Sequence, residues 1–437
     1  MKIAIFGTGY VGLVTGVALA EIGHDVTCID VDENKVRKMA QGISPIFEPG
    51  LKELMTNNIQ KDRLRFTVDN TGPLQWADVV YIAVGTPEQE DGHPNLSYIE
   101  QVALTIAEHK EGNVVVVTKS TVPVGTNEWI ETLIQNHAKH HITVDVVSNP
   151  EFLREGSAVH DAFYGDRIII GAKSDYAAEL IENINEPFQI PIYRTDLRSA
   201  EMIKYASNAF LATKVSFINE IGNLCGKLEA NITDVAKGIG MDKRIGEQFL
   251  RAGIGFGGSC FPKDLKAITQ MGTETNTDMN IVRAALQVNE KQKTILINLA
   301  KEVFSDLRGR KLALLGLAFK PNTNDMRNAA SIAIAEQLIA NGADVIAYDP
   351  VATEEAQELL PEEVEYANSL EEALQGVDAA FIITEWEEFS TMDLSLFNRL
   401  MKEPVVFDGR NCFSLTNAKR NGLQYYSIGR PAVVHQM

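Results

Sequence analysis

Residues 3–6 form a short apolar run that ends at Gly7-Thr8-Gly9-Tyr10-Val11-Gly12, and an apolar helical stretch follows through Ala20. After the turn Gly23-His24-Asp25 comes a second strand, residues 26–29, closed by Asp30. Few patterns constrain a chain as tightly. The first glycine permits a tight turn, the second lets the backbone approach a pyrophosphate, and the third lets helix pack on strand. The helix amides face the phosphates, and an acid about twenty residues on reads a ribose 2′-hydroxyl. Glycine spacing alone is weak evidence. In the order strand, helix, strand, acid, it predicts a parallel α/β sheet that binds a dinucleotide through Gly7, Gly9, Tyr10, Val11 and Gly12. Asp30 predicts NAD rather than NADP, because its carboxylate repels a 2′-phosphate; Asp32, beyond the strand end, is the poorer candidate.

The alternation of strand and helix continues. Strand 77–84 ends at Gly85-Thr86-Pro87, strand 113–118 at Lys119-Ser120-Thr121-Val122-Pro123, and strand 144–147 at Ser148-Asn149-Pro150-Glu151. Ligands of open parallel sheets sit outside the carboxyl ends of the strands, which is where Thr86, Thr121 and Glu151 fall. Each could instead do no more than cap a helix. From 196 to about 230 the pattern turns helical without a proline. Lys204 and Asn208 are four apart there and share a face; pattern alone favours a solvated lysine stripe at this point.

The last third repeats the first. Strand 311–315 leads into Gly316-Leu317-Ala318-Phe319-Lys320, a helix follows over about 329–339, residues 341–349 echo 22–30, and 376–383 echo 76–83. The expected fold is α/β, with two Rossmann-like parallel-sheet domains joined by a helical central domain with a long helix. The boundaries fall at 1–195 (NAD-binding), 196–305 (central, dimerising, carrying the cysteine discussed next) and 306–437 (the second sheet). The second sheet lacks the glycine spacing but keeps Lys320 and Arg327, which suits another phosphorylated ligand.

Within the central stretch, Phe256-Gly257-Gly258-Ser259-Cys260-Phe261-Pro262-Lys263-Asp264-Leu265 sets a thiol beside a lysine and a carboxylate. The glycines at 253, 255, 257 and 258 allow positive φ or close approach, and Pro262 reads as the first turn of a helix. Cys260 then stands near a helix N-terminus, where the dipole and Lys263 favour the thiolate. The plain alternative is a small buried apolar side chain, against which the glycines and adjacent charges argue. A nicotinamide enzyme that only interconverts alcohol and ketone has no use for such a thiol, whereas one that carries an aldehyde on to an acid does.

Composition narrows the partners. A net charge of −19 over 437 residues disfavours nucleic acid and anionic membrane. Four widely spaced cysteines with no CxxC pair give neither a zinc pattern nor a disulfide framework, so no metal is expected. The chain runs straight into a strand with no leader pattern and no apolar run of membrane-spanning length, so a cytoplasmic location is expected.

Six blocks in one order carry a resemblance over nearly the whole chain. They are Gly7 to Leu13, Lys119 to Thr126, Ser148 to Gly156, Lys204 with Asn208, Gly255 to Asp264, and Phe319-Lys320-Pro321. Together they resemble the UDP-glucose/GDP-mannose dehydrogenase family of nucleotide-sugar 6-dehydrogenases. The resemblance implies an N-terminal NAD domain, a long central helix that forms a homodimer, and a C-terminal domain gripping UDP. It implies oxidation of the C6 alcohol of UDP-glucose to a carboxylate at the expense of two NAD⁺. Cys260 is then the nucleophile, Lys204, Asn208 and Asp264 surround C6, and Thr121 and Glu151 organise a water. NAD contacts fall to Asp30, Lys35, Thr86, Thr121, Glu155, Lys263 and Arg327. The nucleotide sugar is expected along Glu151, Phe152, Leu153, Arg154 and Glu155, along Phe249, Leu250, Arg251, Ala252 and Gly253, and at Gly257, Lys320 and Arg410. Arg244 is expected to reach a neighbouring subunit's substrate. Two positions depart from the family's habit: Asn328 where Glu is usual and Asn95 where Asp is usual. The resemblance leaves UDP-N-acetylmannosamine and GDP-mannose as alternative substrates. A two-electron β-hydroxyacid dehydrogenase would leave Cys260 and the third domain unexplained; a non-enzymatic NAD sensor would bind NAD without turning over any nucleotide sugar.

Overall fold

The computed structural model describes residues 1–434. The chain divides into two compact units, one of residues 1–207 with 266–275, the other of residues 208–265 with 276–437.

The first unit holds an eight-stranded sheet: β1 (Lys2–Phe6), β2 (Asp25–Ile29), β3 (Leu64–Thr67), β4 (Val79–Ile82), β5 (Gly112–Thr118), β6 (Ile142–Ser148), β7 (Ile168–Ala172) and β8 (Ile192–Thr195). Their order is β3-β2-β1-β4-β5-β6-β7-β8, parallel except where β7 pairs antiparallel with β6. The order reverses between β1 and β4, the switch point at which such sheets bind nucleotides. Because helices cover both faces, β4 is buried at every residue, a run of Val, Val, Tyr and Ile rather than an alternation.

The second unit holds β9 (Lys311–Leu315), β10 (Asp344–Tyr348), β11 (Glu365–Tyr366), β12 (Ala379–Ile382), β13 (Val405–Asp408) and β14 (Gln424–Ser427). Their order, β11-β10-β9-β12-β13-β14, repeats that of the first six strands, and all pairs are parallel. The internal echo in the sequence is thus a repeated topology.

The repeat differs where ligand chemistry would be decided. In the first sheet Asp30, just past β2, accepts a 2.9 Å bond from the Thr8 amide. Asp349 stands just past β10, but its Oδ2 already accepts from the amides of Leu317 (2.6 Å) and Ala318 (3.1 Å) and from Trp386 Nε1 (3.0 Å). That carboxylate is buried and committed to the fold.

The long helix spans Leu197–Lys227. Lys204 belongs to the first unit and Asn208, one turn on, to the second. The helix that follows the thiol, Phe261–Glu274, opens with the Asp264 amide donating to the Cys260 carbonyl at 2.9 Å, and Pro262 lies in its first turn.

Candidate active site

In the first unit the dinucleotide turn is built by contact as much as by flexibility. A Cβ on Gly12 would fall 2.0 Å from the Gly7 carbonyl oxygen, so helix and turn meet only because it is absent. A Cβ on Gly9 would meet no protein atom within 4 Å. Its bareness answers to no packing constraint, which leaves approach of a pyrophosphate as its physical reason and fits the site to NAD. The Tyr10 hydroxyl accepts from the Gly156 amide at 2.7 Å, and the Glu48 carboxylate takes the same amide. This ties the dinucleotide turn to the loop that carries Phe152, Leu153, Arg154 and Glu155.

Asp30 is held between the Thr8 hydroxyl, the amides of Thr8 and Asp32, and the Lys35 ammonium at 3.0 Å. Burial pulls its carboxyl upward, but those donors outweigh it and bring the pKa down to about 2. With the native value depressed, its contribution to stability is fully present above the ordinary carboxylate range and is lost as pH falls through about 2. Asp32 caps the next helix through the Lys35 amide, a structural duty. Asp30→Ala is expected to narrow the preference for NAD over NADP by about tenfold or more; the ratio of kcat/KM for the two cofactors measures it, and an unchanged ratio would move the role elsewhere.

Past β4 and β5 the Thr86 hydroxyl donates to the Thr121 carbonyl at 3.1 Å, joining the two strand-end loops. Glu151 follows β6. Its Oε1 accepts from Lys204 Nζ at 2.8 Å and its Oε2 from the Leu153 amide, with the lysine and glutamate side chains 4% and 5% exposed. The solvated lysine favoured by pattern alone is therefore not what the fold makes: Lys204 is buried and paired. Its ammonium and the Arg167 guanidinium also lie over the Phe152 ring, at 5.3 and 3.9 Å. Arg154 is turned away, gripping Asp161 through two bonds of 2.9 and 2.6 Å.

In the second unit Asn208 Nδ2 donates to Asp264 Oδ2 at 2.6 Å, and Lys263 Nζ to Asp264 Oδ1 at 2.7 Å, with Asp264 buried. The glycine loop before Cys260 is seated on backbone. A Cβ on Gly257 would lie 2.4 Å from the Asn328 carbonyl oxygen, and one on Gly258 would lie 2.8 Å from the Phe319 ring. Only Gly255 and Gly258 of the four glycines take positive φ; Gly253 and Gly257 serve close approach instead. The Gly258 amide donates to the Arg327 carbonyl at 2.7 Å, and Asn328 Nδ2 to the Gly258 carbonyl at 3.2 Å. Asn328 does this with φ of 53°, a conformation asparagine tolerates better than glutamate. Asparagine thus suits the backbone conformation at this position.

Other expected residues are placed less directly. Arg410 donates to Ile383 O at 2.7 Å and Gly255 O at 3.1 Å and pairs with Glu385 at 3.4 Å. Arg327 pairs with Asp325 at 2.8 Å, and Lys320 Nζ lies 5.1 Å over the Phe319 ring. Arg244 is largely exposed and pairs with Asp242. Leu250 and Ala252 are buried, Arg251 is exposed, and Phe249 takes φ of 62°, a strained state for a bulky side chain.

Three buried amides escaped the sequence reading. Asn219 accepts from the Gly253 amide at 2.8 Å, Gln292 donates to the Gly253 carbonyl at 2.7 Å, and Asn289 exchanges bonds of 2.7 and 3.0 Å with Phe256. Glu201, also missed, takes the amides of Gly125 and Asn127 one turn before Lys204. The one available signal was a polar residue flanked by core positions of a helix.

The four thiols separate by surroundings. Cys28 is buried in the first sheet and burial pushes it up to about 12; burial also raises Cys412. Cys225 is packed in the core of the second unit. Cys260 is partly exposed, its sulfur 3.5 Å from the Ser259 hydroxyl, at the start of a helix.

Comparison with known proteins matches three consecutive parts of the chain to the UDP-glucose/GDP-mannose dehydrogenase family: its NAD binding domain over residues 1–189, its central domain over 198–291 and its UDP binding domain over 313–415. The chain belongs to this family. UDP-glucose 6-dehydrogenase YwqF of Bacillus subtilis is 54% identical over 434 residues, 99% of either chain. A UDP-glucose dehydrogenase from the archaeon Pyrobaculum islandicum superposes with a TM-score of 0.92 at 38% identity, covering 98% of both chains. A UDP-D-ManNAc dehydrogenase from Pyrococcus horikoshii follows at 0.87 and 28%, over 98% of this chain and 99% of that one. As a member of the UDP-glucose/GDP-mannose dehydrogenase family the chain is an NAD-dependent oxidoreductase with two parallel-sheet domains.

Proposed function

We propose that the protein oxidises the C6 alcohol of UDP-glucose to the carboxylate of UDP-glucuronate, transferring two hydrides per turnover. The observation that carries this reading is Cys260, a partly exposed thiol at a helix start in a backbone-seated glycine loop; Cys412 is also partly exposed but belongs to no such loop. The high identity to UDP-glucose 6-dehydrogenases supports the choice of sugar nucleotide. Two NAD⁺ molecules, bound in turn, would each accept one hydride.

The chain's own residues divide the remaining work. Asp264, with water held near Thr121, takes the C6 hydroxyl proton; Lys204 is the rival for that step. Cys260 adds to the aldehyde carbon as a thiohemiacetal, with Lys204 and Asn208 as donors to the oxyanion. Oxidation of that adduct leaves a thioester. Water attacks the thioester carbon, Glu151 accepts a proton, the C–S bond breaks and the thiolate departs. Arg327, Lys35, Glu155 and Lys263 are assigned to NAD. Residues 151–155 and 249–253, with Lys320, Gly257 and Arg410, are assigned to UDP-glucose, Arg410 by holding the glycine loop.

We assign the stretches 1–195, 196–305 and 306–437 to NAD binding, to dimerisation with the thiol, and to UDP binding. Phe210, Phe217 and Leu224 recur every seven residues on the long helix and are 67%, 50% and 51% exposed, the stripe expected of a helix that packs on its own copy. Exposed Arg244 suits a residue that serves the partner's substrate. Phe217→Glu is expected to shift the protein from dimer to monomer in analytical ultracentrifugation; a dimer of undiminished affinity would place the interface elsewhere. Among the described residues no helix is long and apolar enough to cross a membrane, and a cytoplasmic enzyme is the reading adopted.

The deciding test is stoichiometry. Two NADH per UDP-glucuronate are expected from UDP-glucose, with slower turnover of UDP-N-acetylmannosamine and GDP-mannose. One NADH per product, or faster turnover of either alternative, overturns the reading.

A further inference from the structure

Lys119 lies just past β5 and has no assigned role in the scheme above. Its ammonium donates to Asn149 Oδ1 at 3.0 Å. Asn149 is itself buried and fully engaged: its amide nitrogen donates to the Thr118 carbonyl at 3.0 Å and its Nδ2 to the Ile169 carbonyl at 2.8 Å. Two residues on, past Pro150, is Glu151, held by Lys204 and by the Leu153 amide. The first unit therefore bonds one ammonium to the buried Glu151 carboxylate and a second to Asn149, two residues before it on the same turn.

A half-buried lysine whose hydrogen bond goes to a neutral acceptor gives up part of its hydration without a bonded counter-charge, which gives its placement a cost to explain. Here burial pushes Lys119 down to about 8, with Glu151 pulling it back up and Lys204 pushing it further down. The three charges thus act on one another, and Asn149 fixes the distance at which Lys119 does so.

We propose that Lys119 is a positioning residue for the hydrolytic step: through Asn149 it seats the turn that carries Glu151, and it supplies the second positive charge that Glu151 faces. With Lys119 in place, the turn that carries Glu151 stays seated through Asn149 while Lys204 engages the oxyanion. Without it, Lys204 is the sole counter-charge and is drawn to Glu151 at the moment both are needed on the thioester. The inference rests on the four-electron reading above.

The test separates thioester formation from thioester hydrolysis. In Lys119→Met, mixing enzyme with UDP-glucose and NAD⁺ is expected to give a burst of about two NADH per site. A steady phase slowed by about ten- to a hundredfold should follow, within the range a general base contributes. Intact-mass spectra of quenched samples should show an acyl adduct on Cys260 peptides. Lys119→Arg, which keeps the charge, should restore the steady phase to within several-fold of the parent. Should Lys119→Met fold poorly by circular dichroism, Lys119→Gln keeps an amide donor for Asn149 and is expected to show the same burst and slow phase. An unchanged steady rate in the neutral variants, or a burst lost in parallel with it, overturns the proposal. Failure of the reading beneath it looks different: the parent enzyme itself would then release one NADH per product.

Discussion

Cys260→Ser is expected to abolish UDP-glucuronate formation, with the rate falling on the order of a thousandfold or more, as loss of a covalent nucleophile does elsewhere. Serine at that position keeps the backbone seat made by Gly257, Gly258, Arg327 and Asn328 but offers an oxygen far less nucleophilic at neutral pH. The first hydride transfer does not need sulfur, so the variant should deliver at most one NADH per sugar and stall at the aldehyde stage. Quenched turnover of the parent, digested and weighed, should show the sugar on the Cys260 peptide. Uronate accumulating at two NADH per product in the variant would remove covalent catalysis from the scheme. The other thiols offer no substitute, since Cys28, Cys225 and Cys412 are buried or raised by burial.

Lys204→Ala should have the next largest effect, on both rate and stability. Removing one oxyanion donor costs about a hundred- to a thousandfold in kcat, whereas UDP-glucose affinity, measured separately by calorimetry, should change little. A defect confined to KM would mark Lys204 as a binding residue. The same substitution removes the ammonium bonded to the buried Glu151 carboxylate and leaves it the Leu153 amide as its hydrogen-bond donor, and breaking a buried pair in this way costs about 3–5 kcal/mol. A lowered first unfolding transition is therefore expected. Lys204→Met, which fills the volume, should share the kinetic defect.

The sheet was legible because its signals are local. A strand, a glycine turn and an acid lie within thirty residues of one another, and the positions at which Thr86, Thr121 and Glu151 emerge follow from chain order alone. Lys204 was legible only through family likeness. In its own helix it has the pattern of a solvated residue, and the carboxylate that holds it lies more than fifty positions upstream, a tertiary fact that periodicity does not carry. The same holds for Asn219, Asn289 and Gln292, which read as ordinary helix polars until the Gly253–Phe256 backbone is seen to need them. For Asn328 the positive φ that asparagine accommodates is a dihedral angle that no composition reveals. Resemblance assigned Arg154, Arg327 and Arg244 to ligands; the fold gives each a carboxylate neighbour within its own unit.

The carboxylate of Asp349, already claimed by two amides and an indole, limits what protein engineers could graft onto the C-terminal sheet. Installing a Gly-x-Gly-x-x-Gly segment after β9 would reproduce the letters of a nucleotide cofactor cradle. It would not recreate the acceptor that grips an adenosine ribose, since that oxygen has been recruited as mortar. The two halves have the same blueprint, yet Asp349 is buried beneath an indole where Asp30 stays partly exposed, and only a design that also rehoused Trp386 would open that carboxylate to a ligand.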